Sequence, residues 1–131
     1  MPKALFSRMA AVMNEMRKLQ EEERTLMSIQ TLEVFLVVAA KEGIVSSDIR
    51  KLTGIAQPTI SRALGDLGDW AQKKNAEGLK LIKTERDPND LRNVQCFLTA
   101  KGKLLAARIA QLMGIAEDTV DPSFPNGNGA Q

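Results

Sequence analysis

The sequence predicts a mainly α (α+β) fold: a helix-turn-helix, then a β-hairpin, with a helix at each end of the chain. Three observations predict it. Apolar residues recur at helical spacing in successive stretches. A short helix, a glycine turn and a second helix opening on Gln57-Pro58 follow one another after Ser46. Two strand-like runs flank the turn residues Asp87-Pro88-Asn89-Asp90.

The first stretch, residues 2–24, reads as an amphipathic helix. Leu5, Met9, Val12, Met16 and Leu19 form a heptad-like stripe, widened by Phe6 and Met13. That stripe needs a partner, either the body of the domain or another subunit. The second helix spans residues 28–41. Ile29, Leu32, Phe35, Leu36 and Ala39 keep helical spacing, and Val34, Val37 and Val38 fill the other faces, as in a buried helix. Its β-branched run also fits a strand. Length and a capping Ser28 favour helix, ended by Glu42-Gly43.

Ser46 or Ser47 caps a short third helix, with Asp48 well placed in its first turn, Ile49 and Leu52 inward, and Gly54 supplying the turn. In the fourth helix Pro58 suits the first turn, where a missing N–H costs nothing. Ile60, Ala63, Leu64 and Leu67 point inward, and Gly65 and Gly68 favour an end near Gly68. The outward set is then Gln57, Thr59, Ser61 and Arg62. Gln pairs bidentately with adenine and Arg with guanine, while hydroxyls meet bases or phosphates, so this face suits base reading as well as plain solvation.

Residues 69–78 read as a further helical piece ending at Asn75 or Gly78, with Trp70 as a packing residue. Residues 79–86 and 94–98 read as the two strands, with Arg86 at the end of the first. Cys96 lies between Val94 and Leu98 on one face and reads as a buried thiol. Thr99 caps a last helix over residues 100–113, with Leu105, Ile109 and Leu112 inward and Leu104, Ala106 and Met113 broadening the stripe. Gly114 ends or kinks it, and residues 115–120 can continue it. From Asp121 the composition turns to Pro, Gly, Asn and Ser and reads as a flexible tail.

Composition narrows the function. The chain has 131 residues, the size of one domain, and the reading expects no membrane span. One cysteine and no histidine leave out an internal disulfide, a Cys/His metal site and the common nucleophile–base pairs, so neither a metal, a cofactor nor an enzyme is expected. A reduced thiol and no signal-peptide core suit the cytoplasm. The formal net charge is only +2, so any phosphate contacts depend on where the cations sit.

Three segments together resemble the MarR family of winged-helix transcription regulators: the helix-turn-helix from Asp48 to Leu64, the wing Asp87-Pro88-Asn89-Asp90-Leu91-Arg92, and Leu98-Thr99-Ala100-Lys101-Gly102. The resemblance implies a dimeric, sequence-specific regulator of double-stranded DNA, in the simplest case a repressor acting at a pseudo-palindromic site. Arg92 becomes the arginine that enters the minor groove and Asp90 its orienting partner. The division it implies is residues 1–27 as a dimerising N-terminal helix, 28–99 as the winged helix-turn-helix, 100–120 as a C-terminal dimerising helix and 121–131 as tail. Residues 69–78 exceed the short link that usually joins recognition helix and wing, and the C-terminal part is short for the family. The competing reading is a winged helix turned to protein interaction or assembly. The sequence names no small-molecule effector.

Overall fold

In the computed structural model, described here for residues 2–23, 27–69 and 78–115, the elements run α1 (Lys3–Glu23), α2 (Ile29–Ala40), α3 (Ser46–Thr53), α4 (Gln57–Leu67), β1 (Ile82–Asp87), β2 (Asp90–Leu98) and α5 (Ala100–Met113). The expected helical piece with Trp70, the continuation beyond Ile115 and the tail lie outside the described residues.

The core is organised around α2. Val34, Phe35, Val37 and Val38 are fully buried and meet Ile49 of α3, Ile60, Ala63, Leu64 and Leu67 of α4, and Ile82, Cys96 and Leu98 of the hairpin. The β-branched run is therefore helical, as its length and cap suggested. Ser28 has extended backbone angles and its Oγ accepts from the Thr31 amide at 3.1 Å. The apolar surround is incomplete, since Leu36 reaches the surface and Ile29 is 79% exposed at the first turn.

A second cluster joins the two ends of the chain. Val12 and Met16 of α1 pack on Leu32, with Leu105, Ile109, Leu112 and Met113 of α5 around them. Arg8 Nη1 donates to the Met113 carbonyl at 2.7 Å, and Arg108 pairs with Glu15 at 3.7 Å. Of the predicted α1 stripe only Val12 and Met16 find this cover, while Leu19 packs on the main core. Leu5, Phe6, Met9 and Met13 stay exposed. Leu104, expected to broaden the inner face of α5, is instead 73% exposed.

The helix-turn-helix forms at the predicted place with one change of cap. Neither Ser46 nor Ser47 caps α3. Val45 occupies that position without a side-chain bond, because Ser46 is buried and engages the hairpin. Gly54 ends α3 in the left-handed region, and α4 opens on Gln57-Pro58 and stops at Gly68, as expected.

The strands differ in extent from the reading. β1 begins at Ile82 rather than at Leu79, and β2 begins at Asp90 rather than at Val94, so the turn is only Pro88-Asn89. A further bridge, Val45 to Gln95, adds the approach to α3 as a third edge. The bonds from the Cys96 amide to the Ile44 carbonyl (2.9 Å) and from the Gly43 amide to the Cys96 carbonyl (2.7 Å) hold it there.

Residues 78–81 form a braced connector instead of a strand. The amides of Leu79, Lys80 and Leu81 donate to the carbonyls of Asp66, Gly68 and Leu67, which the end of α4 leaves unpaired. The Gly78 amide donates to Asp69 at 3.0 Å. The chain thus leaves α4 and returns to it at one point, and residues 70–77 lie between. On its other side the connector meets Thr99. The Thr99 amide donates to Leu81, its hydroxyl donates to Lys80 at 2.7 Å, and the same hydroxyl accepts from the Gly102 amide as the cap of α5. Lys101 Nζ donates to the Leu79 carbonyl at 2.9 Å and pairs with Glu23.

Two glycines are required by close approach. A Cβ on Gly102 would overlap the Leu81 carbonyl oxygen, and one on Gly78 would overlap that of Gly68. The Leu98-Thr99-x-x-Gly102 spacing therefore has a physical reason. Thr99 caps the helix and grips the connector, while Gly102 lets the helix sit against it. Gly102→Ala should lower unfolding free energy by about 1–3 kcal/mol, the usual cost of overpacking. Thr99→Ala should cost about 1 kcal/mol for the cap alone. Urea denaturation measures both, and a Gly102→Ala protein as stable as wild type would contradict the packing argument.

Candidate nucleic-acid interface

The exposed side of α4 follows from its buried one. With Ile60, Ala63, Leu64 and Leu67 inward, Gln57, Ser61 and Arg62 are exposed at its N-terminal half, and Thr59 is half-buried at the edge. The structure thus places four of the predicted residues on one helix, with three of them free to meet a partner.

The hairpin supplies the other three through an irregular register. Pairing is regular from Ile82–Leu98 to Arg86–Val94 and then jumps to Asp87–Asp90. Residues 91–93 have no Cα partner on β1, so β2 bulges there and the bulge carries Arg92 outward. Asp87 Oδ1 accepts from the Asn89 amide at 2.9 Å and closes the turn. Arg86 is exposed on β1, and Arg92 has a side chain 91% exposed.

Asp90 holds the bulge and its arginine together. Its Oδ1 accepts from the Arg92 amide at 3.1 Å and from Arg92 Nε at 3.2 Å, and its Oδ2 accepts from Arg92 Nη2 at 3.4 Å. A carboxylate and a guanidinium match each other as a two-pronged pair. The bond from the Arg92 side chain, then that from its amide, draws the Asp90 carboxyl below its ordinary range, and the guanidinium is raised in return. The pairing expected for these residues is therefore present.

Wing and helix are neighbours. An open cleft of about 420 Å³ separates α4 from the hairpin, with Ser61, Leu64 and Gly65 on one wall and Lys83, Thr84 and Val94 on the other. The braced connector, bonded to the end of α4 through Leu79, Lys80 and Leu81, sets this spacing.

Sequence reasoning missed two contributors. Asn93, within the bulge, donates from Nδ2 to Asp90 Oδ2 at 3.4 Å and accepts from Ser46 Oγ at 3.2 Å. Nothing in a lone asparagine beside a turn indicates a partner 47 residues earlier. Ser46 carried a capping signal that burial redirected.

Among the described residues no group of acids and cysteine is placed to hold a metal ion. No described helix is long and apolar enough to cross a membrane. Cys96 is fully buried, and burial pushes its thiol up to about 12. A thiol so buried is a poor nucleophile. The sign for stability follows from proton counts. Between 9.0, its ordinary value, and about 12 the unfolded chain loses this proton while the folded chain keeps it. Cys96 should therefore make stability fall as pH rises through that window, and Cys96→Ser should flatten the fall. Urea denaturation at pH 8, 9 and 10 checks this, and an equal slope in both proteins would contradict it.

A helix-turn-helix with a bulged hairpin beside its second helix and a helix from each chain end packed behind it is a winged helix-turn-helix fold. No family model matches the sequence, and no curated protein matches it. Solved structures do match. The chain is similar to MarR, with TM-score 0.56 and 17% identity, covering 81% of this chain and 72% of that one. It is similar to a MarR transcriptional regulator from Methanosarcina mazei Go1, with TM-score 0.57 and 22% identity, covering 74% of this chain. It spans 62% of that regulator, less than two thirds of its length. It is also similar to MepR of S. aureus, solved as a DNA complex, with TM-score 0.55 and 20% identity, covering 81% and 82%. The fold is the MarR-like winged helix.

Proposed function

We propose that the protein is a sequence-specific, double-stranded-DNA-binding transcriptional regulator, most simply a dimeric repressor acting in the cytoplasm. The observation that carries this reading is Arg92, exposed on a bulge and oriented by Asp90, on a hairpin whose strands face α4 across one cleft. A narrow A·T-rich minor groove concentrates negative potential and attracts an inserted guanidinium. In this reading Gln57, Thr59, Ser61 and Arg62 meet the major groove, Arg92 with Asp90 meets the minor groove, and Arg86 meets the flanking backbone. The likeness to a regulator solved as a DNA complex supports it.

A second copy of the chain completes the reading. Leu5, Phe6, Met9 and Met13 leave an apolar strip on α1, and α5 is packed alongside that helix. Residues 1–27 and 100–120 then serve the dimer, and residues 28–99 the DNA. Twofold symmetry sets two recognition helices about 34–36 Å apart and calls for a pseudo-palindromic site.

Selection of bound duplexes from a random pool by the purified protein tests this reading. A palindromic consensus is the expected result, and no enrichment at low salt overturns it. On the selected site, Arg62→Ala should cost about 1–3 kcal/mol and relax one position. Arg92→Ala should weaken binding about tenfold, most at A·T-rich flanks. Affinity should fall steeply with salt, by a power close to the number of phosphates neutralised. A flat salt response favours an assembly module instead. In sedimentation velocity, the double change Phe6→Glu and Met9→Glu should convert a dimer to a monomer.

A further inference from the structure

We propose that Asn93 and Ser46 are positioning residues for Arg92, forming a hydrogen-bonded relay that ties the wing arginine to the first turn of α3. The inference rests on the DNA-binding reading for its consequence, although the relay itself belongs to the free protein.

The polarity of the relay is fixed by chemistry. Ser46 Oγ accepts from the Val94 amide at 3.3 Å, so its own proton is left to donate, and it donates to Asn93 Oδ1 at 3.2 Å. That leaves Nδ2 on the far side of the amide. An ionised carboxylate only accepts, so the Asn93 amide must present Nδ2 to Asp90, as it does at 3.4 Å. Asp90 then takes Arg92 through Nε and Nη2. Each group has one orientation that satisfies both neighbours, and reversing any one of them sets two donors or two acceptors face to face.

The location makes the relay necessary. Residues 91–93 have no Cα partner on β1, so pairing to that strand does not hold them. Bulges of this kind bend and twist locally. Asp90 spans the bulge from one end, and Asn93 fastens its other end to a buried serine of the helix-turn-helix. Ser46 opens α3, which packs on α4, so the arginine is referenced to the reading helix rather than to the hairpin alone. An aspartate at position 93 is nearly isosteric. It keeps an acceptor for Ser46 yet offers Asp90 a like charge in place of a donor.

The test reads the Arg92 Nε–H signal by ¹⁵N relaxation in the free protein, with the signal identified by its loss in Arg92→Lys. The expected wild-type order parameter matches the hairpin backbone. It should drop in Asn93→Ala and drop further in Asn93→Asp, while urea midpoints remain near wild type because Asn93 is only half-buried. Ser46→Ala should lower it through the far link. An unchanged Arg92 signal in both Asn93 variants overturns the proposal. On the selected duplex, Asn93→Asp should lose about five- to tenfold in affinity, and about none of that loss should persist in an Arg92→Ala background. An equal loss in both backgrounds also overturns it. Loosening of Arg92 in a protein that selects no DNA supports the relay and sinks the DNA reading, so the two failures are told apart.

Discussion

The contact on which the rest of the molecule depends is the approach of α5 to the backbone at Leu81, permitted by Gly102 and locked by Thr99. Three parts meet there: the C-terminal end of α4, the entry to β1 and the start of α5. Each brings backbone groups that would otherwise lack partners. The carbonyls of Asp66, Leu67 and Gly68 take the connector's amides, and the connector's carbonyls take Thr99 and Lys101. This mutual satisfaction of backbone groups, with Thr99 and Lys101 supplying side-chain donors, sets the hairpin relative to α4. Leu79 and Leu81 then fill the core from the same segment, so polar and apolar requirements agree on one geometry.

From that junction the molecule divides into the winged helix-turn-helix and the packed helices of the two chain ends. α2 serves both, with its valines and Phe35 toward α3, α4 and the hairpin, and Leu32 toward α1 and α5. α2 therefore links the packing of the two chain-end helices to that of α3, α4 and the hairpin. The apolar strip on α1 and the charged wing lie on separate elements, so each can be altered without touching the other.

Much of this was legible in the sequence, and the failures have causes. Helix positions were legible because apolar spacing and caps agreed, as at Ser28 and Thr99. Cys96 was legible from its alternation with Val94 and Leu98. The start of β1 was not, because Leu79 and Leu81 have the alternation of a strand while their amides bond to the end of a helix. Ser46 was misassigned because a serine before a helix signals a cap, and only the fold reveals that the hairpin claims its hydroxyl. Leu104 and Ile29 are apolar yet exposed, because Leu104 lies one residue, about 100° of rotation, from Leu105 and Ile29 stands in the first turn of α2. In the site, the pairing of Asp90 with Arg92 was implied by the family resemblance, whereas Asn93 was not legible, since Ser46 is 47 residues away in sequence.

The bond between the Gly78 amide and the Asp69 carbonyl has one more consequence. The chain closes on itself there, so α4 and β1 are joined by hydrogen bonds as well as by the covalent chain. A chain cut by a protease between Asp69 and Gly78 would therefore still have α4 and the wing tied by the four backbone bonds to Asp66, Leu67, Gly68 and Asp69.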